Sequence, residues 1–150
     1  MTLRPAVAAD VESIRQLVQR AFLPYVARIG REPAPMTVDY HLVVAQRRCW
    51  VVEDDGRISG MVQIARRAGH LEVETIAVAP DAQGRGIGAR LLGFAEEQAR
   101  AAGLPQIRLY TNEAMTENLA YYPRRGFQEV GRAEQDGYRR VFFARAVPPG

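Results

Sequence analysis

Three glycines occupy alternate positions, Gly84, Gly86 and Gly88, directly before a predicted helix. Glycine is used where the backbone must adopt unusual dihedral angles or where a ligand must approach closely. The first turn of a helix also has unpaired N–H groups and a partial positive charge, which together attract phosphate. Arg85 and Arg90 add positive charge beside the loop. The stretch therefore predicts a cradle for a phosphate or pyrophosphate.

Residue types that other chemistries require are missing or isolated. All 20 basic residues are arginine, which excludes a Walker A loop and a pyridoxal Schiff base because both need a lysine. His41, His70 and Cys49 lack metal-ligand spacing, so no metal site is expected. Ser13 and Ser59 both lie outside any Gly-x-Ser-x-Gly elbow, which disfavours a serine hydrolase.

Length and composition indicate one globular domain over residues 1–150. The chain is 47% hydrophobic and 25% charged, with a formal net charge of +3, which is ordinary for a soluble domain. We expect no membrane partner, because no apolar run approaches the length of a span. The first residues lack the pattern of a signal peptide. A single cysteine excludes an internal disulfide and favours a cytoplasmic location.

Hydrophobic periodicity predicts a mixed α/β domain with the element order β α α β β β α β α β β. Asp10 and Thr116 are predicted N-caps, and the proline-broken segment 24–36 is predicted to be a loop with one or two helical turns. The expected strands span residues 2–6, 49–53, 58–66, 70–78, 107–111, 126 onward and 138–146, and the expected helices span 11–22, 38–46, 89–102 and 116–122.

Tight turns are predicted at Asp54-Asp55-Gly56, Ala68-Gly69 and Asp136-Gly137. In the strand over 70–78, side chains alternate between faces. One side therefore carries four residues, namely Glu72, Glu74, Ile76 and Val78. His70, at the start of this strand, is expected to be a surface residue.

Two other interpretations of the glycine loop are weaker. Gly84-x-Gly86-x-x-Ala89 fits a dinucleotide fingerprint by its letters. However, residues 80–83 separate it from the strand, and the strand over 107–111 does not end in the acidic residue that would bind the ribose. A loop that only connects a strand to a helix would need one glycine rather than three.

The loop and a second motif together resemble the GCN5-related N-acetyltransferase (GNAT) family. The family signature Q/R-x-x-G-x-G/A is matched by the sequence from Gln83 to Gly88, which follows Ile76-Ala-Val-Ala-Pro80. A second block, with an asparagine, a tyrosine and a Gly-Phe pair, is matched from Glu117 to Phe127. The resemblance covers the whole element order, and it implies a central, mostly antiparallel sheet flanked by helices.

The resemblance implies acetyl-CoA as the cosubstrate. The loop amides would hold its pyrophosphate, and they belong to Gln83, Gly84, Arg85, Gly86, Ile87, Gly88 and Ala89. The backbone of Ile76, Ala77 and Val78 would pair with the pantetheine arm like an added strand. Asn118 would donate a hydrogen bond to the cosubstrate. Tyr122 would lie at its sulfur.

The resemblance also implies roles in acyl transfer to an amine. The N–H of Val78, or of a neighbour, would polarise the thioester carbonyl. Tyr122, four residues before Gly126, would protonate the departing sulfur, with Tyr121 as the rival. Glu74 is favoured over Glu72 as the base, and a structural alternative pairs both with an arginine such as Arg66 or Arg108.

The first helices and the last hairpin would line the acceptor side, with Tyr25, Arg28, Met36 and Tyr138 as candidate residues, joined by Arg31 and Tyr40. Arginines there would favour a small-molecule amine that carries an anionic group, although a peptide amine stays open. The implied function is transfer of the acetyl group of acetyl-CoA to a primary amine by direct attack on the thioester. The alternatives are a catalytically silent CoA-binding sensor and, less well supported because the arginines are scattered, a nucleic-acid-binding domain. The resemblance also allows a homodimer.

Overall fold

A computed structural model describes all of residues 1–150 and contains seven strands and five helices. The strands are β1 (Thr2–Pro5), β2 (Cys49–Asp54), β3 (Arg57–Arg67), β4 (His70–Val78), β5 (Gln106–Asn112), β6 (Gln128–Gln135) and β7 (Tyr138–Ala146). The helices are α1 (Val11–Phe22), α2 (Val26–Ile29), α3 (Tyr40–Ala45), α4 (Ile87–Ala101) and α5 (Thr116–Arg124). The predicted order is confirmed, with the single-turn α2 inside the segment predicted to be a loop with helical turns.

The strands form one sheet in the order β1-β2-β3-β4-β5-β7-β6. β4 and β5 pair in parallel, whereas β1–β2, β2–β3, β5–β7 and β6–β7 pair in antiparallel fashion. The mixed α/β fold class with a mostly antiparallel sheet is therefore confirmed. The parallel pair is possible because α4 lies between β4 and β5 in the chain, and parallel strands need such a crossover.

Both Asp-Gly turns have the backbone that a two-residue hairpin requires. Asp55 and Gly56 have φ angles of 51° and 76°, and Asp136 and Gly137 have φ angles of 53° and 81°. Two consecutive positive φ angles match the right-handed twist of the flanking strands, and Asp-Gly is among the residue pairs that tolerate them. These local signals explain why the β2–β3 and β6–β7 hairpins were predictable.

The chain forms two compact units, each made of two segments. The first unit comprises Met1–Ile64 and Thr75–Phe94. Its core contains the apolar face of α1 together with inward residues of β2, β3 and α4, namely Val11, Ile14, Leu17, Val18, Val51, Val52, Met61, Val62, Leu91 and Leu92. The spacing of the four α1 residues is that of one helix face, so burying this face explains why the segment is helical.

The second unit comprises Ala65–Glu74 and Ala95–Gly150. Its core contains alternate residues of β5 and β7 with the aromatic residues of α5 and the turn after it, namely Ile107, Leu109, Val141, Phe143, Tyr122 and Phe127. β6 is the edge strand and is exposed at every residue. Its charged side chains, such as Arg132 and Glu134, are a usual protection of an edge against pairing with other chains.

Of the two predicted helix caps, Asp10 occupies the N-cap position of α1 without a capping bond, and Thr116 does not occupy the N-cap position of α5. Asp10 precedes α1 with helical backbone angles, and its carboxylate caps no amide of α1. It accepts two hydrogen bonds from Arg4, at 2.8 and 3.0 Å, and a third from the Val7 N–H at 2.8 Å. Thr116 is the first residue of α5 and donates its hydroxyl to Glu117 instead. Asp10 lies one residue outside α1 but lacks the extended backbone angles of a typical cap, whereas Thr116 lies inside α5.

No helix of the chain is both long and apolar enough to span a membrane.

The Arg4–Asp10 pair predicts a pH-dependent contribution to stability. Arg4 holds the pKa of the buried Asp10 carboxyl below its usual value, so its contribution is complete above the unfolded-state pKa of about 4 and is lost as the pH falls through the folded-state pKa. We expect Asp10→Asn to lower the free energy of unfolding by about 2 kcal/mol near neutral pH. Urea unfolding of both proteins over a pH series measures the difference. A difference that stays constant down to about pH 2 would contradict this assignment.

Candidate active site

The strand end that leads into the glycine loop belongs to the first unit. Ala77 is buried, whereas Ile76 and Val78 on the opposite side of β4 are half-buried. The N–H of Ala79 then donates to the carbonyl of Ser59 at 2.8 Å. A short 3-10 turn, Pro80–Ala82, connects this point to the loop. The strand end is therefore held by backbone bonding before the loop begins.

Two of the three glycines in the loop are required by their backbone angles. Gly84 and Gly86 have φ angles of +82° and +78°, a region that other residues rarely adopt. No atom lies within 4 Å of the position that a Cβ would occupy at either glycine. Conformation rather than crowding therefore selects glycine there, and the loop surface is left open for close approach. Gly88 lies in the first turn of α4 and has no positive φ.

The first turn of α4 has unpaired amides. The carbonyl of Gly86 accepts the hydrogen bond of the Arg90 N–H at 3.0 Å. The amides of Ile87, Gly88 and Ala89 come before this first bond, so no helical carbonyl is available to them. Three consecutive donors at the positive end of a helix that begins at a glycine turn are suited to an anion such as a phosphate.

A close contact with β3 fixes the start of α4. Ile87 is buried, and its Cγ2 lies 2.7 Å from the position that a Cβ would occupy at Gly60. The Cδ1 of Leu91 is 3.2 Å and the carbonyl oxygen of Ala77 is 3.4 Å from the same position. Gly60 therefore has no side chain because α4 lies directly on the strand at that point. The contact determines where the unpaired amides are held.

Gly60→Ala is expected to destabilise the protein. The obstructing atom is a methyl group on the branched Cβ of Ile87, which cannot swing aside, so the helix must shift at a cost of about 1–3 kcal/mol. Urea unfolding measures this change. Gly93→Ala is the matched control, because Gly93 lies in α4 with no atom within 4 Å of its Cβ position, and it should be stabilising by about 0.5–1 kcal/mol. Equal effects of the two substitutions would contradict the close contact.

The charged residues around the loop are paired with other protein groups. Arg85 binds Asp54 at 2.7 Å and holds the pKa of that carboxyl below its usual value. Asp81, in the 3-10 turn, is bound by Arg57 at 2.6 Å and by Arg20 at 3.2 Å. Because the charge of Arg85 is shared with Asp54, the backbone amides are the principal anion donors of the loop.

The predicted residues Asn118 and Tyr122 lie on α5 in the second unit. The Asn118 side-chain amide donates to the hydroxyl of Thr111 at 3.0 Å, which links α5 to β5. Tyr122 is 6% exposed, and its ring lies 5.6 Å from that of Phe127 and 5.7 Å from that of Phe143. The packing of this ring fixes the direction of Tyr122 without depending on its hydroxyl.

Tyr121 has a different environment from its neighbour. It is half-buried, its ring meets that of Tyr122 edge-on at 5.4 Å, and the guanidinium of Arg125 lies over it at 5.3 Å. Tyr121 therefore has the setting of a surface aromatic residue that is stacked by a cation. The buried ring among aromatic residues belongs to Tyr122.

The two candidate bases share one arginine, and it is neither of those expected. Arg67 lies 3.3 Å from Glu74 and 3.9 Å from Glu72. Arg66 and Arg108 form no ion pair with either glutamate. His70, which was expected at the surface, is instead only 20% exposed in its side chain, and its Nε2 lies 3.3 Å from the Glu72 carboxylate. Glu72 thus lies between a histidine and an arginine.

A cavity of about 450 Å³ opens beside Glu72 in the second unit. Its lining combines charged, amide and aromatic groups, namely His70, Glu72, Arg108, Leu109, Tyr110, Val130, Gly131, Arg132, Gln135, Phe142 and Phe143. Of the residues predicted from the sequence, it includes Glu72 but not Glu74. Cavities of this size and mixed character are typical of sites for small molecules.

Three of the predicted acceptor-side residues lie in the first unit. The guanidinium of Arg28 lies over the Tyr25 ring at 5.0 Å, and Met36 is half-buried in a 3-10 turn, Ala34–Thr37. Tyr138 is in the second unit, is 7% exposed, and has the guanidinium of Arg140 at 5.6 Å from its ring. Tyr138 is not among the residues that line the cavity beside Glu72. Sequence reasoning missed Tyr110 and Phe142 altogether and considered Arg108 only as an ion-pair partner.

The chain belongs to the acetyltransferase (GNAT) family, whose sequence model matches residues 11–127. It is therefore an acyltransferase of the N-acetyltransferase type, and the resemblance inferred from its two motifs is confirmed. The match includes the glycine loop and ends at Phe127, the last residue of the second motif.

Two relatives with known names align with this chain over most of their own length. The S-(2-succino)cysteine N-acetyltransferase of Bacillus subtilis (strain 168) is 32% identical over 145 residues, which covers 89% of this chain and 86% of the relative. The aminoalkylphosphonate N-acetyltransferase of Salmonella typhimurium (strain LT2) is 29% identical over 138 residues, with 85% and 84% covered.

The crystal structure of the PaiA N-acetyltransferase of Thermoplasma acidophilum, in complex with coenzyme A, has the same fold. Its TM-score is 0.80, and the match covers 97% of this chain and 98% of that one. With 16% sequence identity, the likeness establishes the fold alone.

Proposed function

We propose that this enzyme transfers the acetyl group of acetyl-CoA to the primary amine of a small acceptor. The observation that carries the proposal is the glycine turn at Gly84 and Gly86, followed by the unpaired amides of Ile87, Gly88 and Ala89. A diphosphate needs such a set of converging donors with no side chains in the way. The coenzyme A in the PaiA structure supports this choice of cosubstrate for the fold.

The remaining cosubstrate contacts are assigned on the family resemblance. The amides from Gln83 to Ala89 hold the pyrophosphate. The backbone of Ile76, Ala77 and Val78 binds the pantetheine arm, and the Val78 N–H polarises the thioester carbonyl. Asn118 adds a hydrogen bond from α5. We extend the single acetyltransferase domain to residues 1–150 and place it in the cytoplasm, which rests on the use of one unpaired cysteine.

The proposed reaction is balanced without any metal or redox partner. A base removes one proton from the acceptor ammonium, and the nitrogen lone pair then forms a C–N bond to the thioester carbonyl carbon. The C–S bond breaks and its electron pair leaves with the sulfur. Tyr122 gives its phenolic proton to that sulfur and recovers one from the acylated nitrogen. The products are the acetamide, the free thiol of coenzyme A and one proton.

Tyr122 is proposed as the acid because its ring is held rigidly and its usual pKa is suited to a thiolate. The usual pKa of tyrosine, about 10, lies close to that of a thiol, about 8.5, so proton exchange between them is easy in both directions. The ring contacts to Phe127 and Phe143 would persist without the hydroxyl. The role can therefore be tested without damage to the core.

Glu72 is proposed as the base, with Glu74 as its rival. The sequence favours Glu74, but Glu72 is the one that lines the cavity and contacts His70. Glu74 lies 3.3 Å from Arg67 and is not among the residues that line the cavity. A base must reach the ammonium of the acceptor, and the cavity provides the space for one beside Glu72.

Small anionic amines are the acceptors that we propose. The names of the two relatives include a modified cysteine and an aminoalkylphosphonate, which are small molecules that carry an amine. Arg108 in the cavity wall of this chain favours an acceptor with a negative charge.

The glycine turn predicts that Gly86→Glu weakens acetyl-CoA binding at least about tenfold, because a carboxylate would face the pyrophosphate. Calorimetric titration with acetyl-CoA measures the change, and NADH serves as a second titrant for the dinucleotide alternative. Gly56→Glu is the matched control. Gly56 has a φ of +76°, close to that of Gly86, and its Cβ position is equally open, so strain and added charge are comparable.

Equal losses in the two glycine variants would show that strain, not the loop, is responsible. Tight binding of NADH in place of acetyl-CoA would overturn the proposed cosubstrate.

Tyr122→Phe is expected to lower kcat by about 100-fold or more while the affinity for acetyl-CoA stays within about twofold. The phenyl ring keeps the aromatic contacts, so the melting temperature should change little. Steady-state release of free thiol measures the rate, and Tyr121→Phe is the control with an unchanged rate. In the same assay Glu72→Gln should slow transfer more than Glu74→Gln does, and the opposite order would assign the base to Glu74.

Full activity in Tyr122→Phe would remove the tyrosine from the mechanism. Binding of acetyl-CoA by the wild-type protein without transfer to any amine would instead favour a catalytically silent CoA-binding sensor.

A further inference from the structure

Glu72 and Arg108 are neighbours on one wall of the cavity. They are register partners in the parallel pair of β4 and β5, and adjacent strands lie about 4.8 Å apart. Both side chains are on the face opposite the buried residues Leu71, Val73 and Leu109. One carboxylate and one guanidinium are thus presented side by side.

Arg108 forms no ion pair, even with its strand neighbour Glu72. Its Nε donates a hydrogen bond to the neutral amide oxygen of Gln106 at 3.0 Å. By contrast, the other arginine of the cavity, Arg132, donates to both oxygens of Glu129 at 3.1 and 2.9 Å. The outer nitrogens of Arg108 therefore remain available for an anion.

The same face continues into aromatic and aliphatic groups beside an open space, and the guanidinium of Arg140 lies over the Tyr110 ring at 4.3 Å. Tyr110 and Phe142 are register partners with rings 5.9 Å apart. Gly131, the partner of Phe142 on β6, has no atom within 4 Å of its Cβ position. Val130 beside it is 54% exposed. The missing side chain at Gly131 leaves room between aromatic and aliphatic groups, next to the charged pair.

We propose that this cavity is the acceptor subsite, in which Arg108 binds the anionic group and Glu72 the amino group of an α-amino acid with an apolar side chain. This inference rests on the proposed function and specifies its acceptor. Neighbouring opposite charges match an amine and an acid on one carbon atom, and Tyr110, Phe142 and Val130 match an apolar side chain. An α-aminophosphonate has the same charge arrangement and is the second source to be distinguished.

The test compares acceptors that differ only in the acid. L-phenylalanine and L-leucine are each paired with the amine that lacks the carboxylate, 2-phenylethylamine and isopentylamine, and 1-aminoethylphosphonate forms the third arm. Arg108→Gln keeps the side-chain length but removes the charge. It should raise KM for the two amino acids about 10-fold to 100-fold, leave the two amines within about twofold, and leave acetyl-CoA binding unchanged.

Two further variants separate charge from space. Gly131→Val should raise KM for L-phenylalanine more than for isopentylamine, because it fills the apolar part of the cavity. Arg139→Gln is the matched control, because it removes an arginine whose side chain is 74% exposed and pairs with Glu113. It should leave every KM unchanged. If the wild type instead prefers the phosphonate over both amino acids and loses this preference in Arg108→Gln, the subsite is retained. The acidic group of the acceptor is then a phosphonate rather than a carboxylate.

The outcomes that overturn this inference differ from those that overturn the proposed function. Arg108→Gln could be as active as the wild type on L-phenylalanine, or the wild type could prefer the amines that lack the carboxylate. Either result would place the acceptor outside this cavity without contradicting the proposed acetyl transfer. Calorimetric titration of L-phenylalanine into the protein without acetyl-CoA tests the subsite directly. If L-phenylalanine binds, Arg108→Gln abolishes this binding and the protein does not bind acetyl-CoA, the subsite is retained and the proposed transferase function is rejected. Transfer only to amines that carry no acid would reject the subsite.

Discussion

The contact between α4 and β3 at Gly60 is the constraint on which the proposed cosubstrate site depends. An anion site made of backbone amides works only if those amides stay unpaired and are held in place. The buried Ile87, one residue after the glycine turn, meets the strand where it has no side chain. The helix start is therefore fixed from its buried side, and its amides face outward. No side chain near the loop has to take part in this arrangement.

The arginines fall into two groups once their partners are known. One group is tied to carboxylates, as Arg85 is to Asp54 and Arg4 is to Asp10. Exposed pairs of this kind contribute little to stability. A second group includes Arg108 and Arg140, whose side chains donate to neutral amide oxygens instead. Composition does not reveal which arginines belong to which group.

The fold was predictable because its signals are local. The Asp-Gly turns, the alternation in β4 and the glycine loop each specify backbone geometry within a few residues. The capping bond of Asp10 was mispredicted because a side chain can bind competing partners, and the carboxylate binds Arg4 rather than an amide of α1. The sequence could name Arg108 as a possible neighbour of Glu72, but only the register between β4 and β5 selects it over Arg66. The role of Gly60 was hidden for the same reason, since its crowding comes from a helix later in the chain.

The two kinds of recognition in this enzyme use different parts of the polypeptide. The cosubstrate is assigned to backbone groups, whose geometry depends on glycine and helix positions and only weakly on other side chains. The acceptor is assigned to side chains on the face of β4, β5 and β7, where any residue that points outward can change without altering the strand. A positive φ restricts the choice of residue at Gly84 and Gly86. An outward strand face has no such restriction, so substitutions at Arg108, Tyr110 or Phe142 are tolerated far better. The family can therefore retain one donor site while its acceptors differ, as the names of the two relatives indicate. For this chain, the acceptor should be sought in the chemistry of that face rather than in the glycine loop.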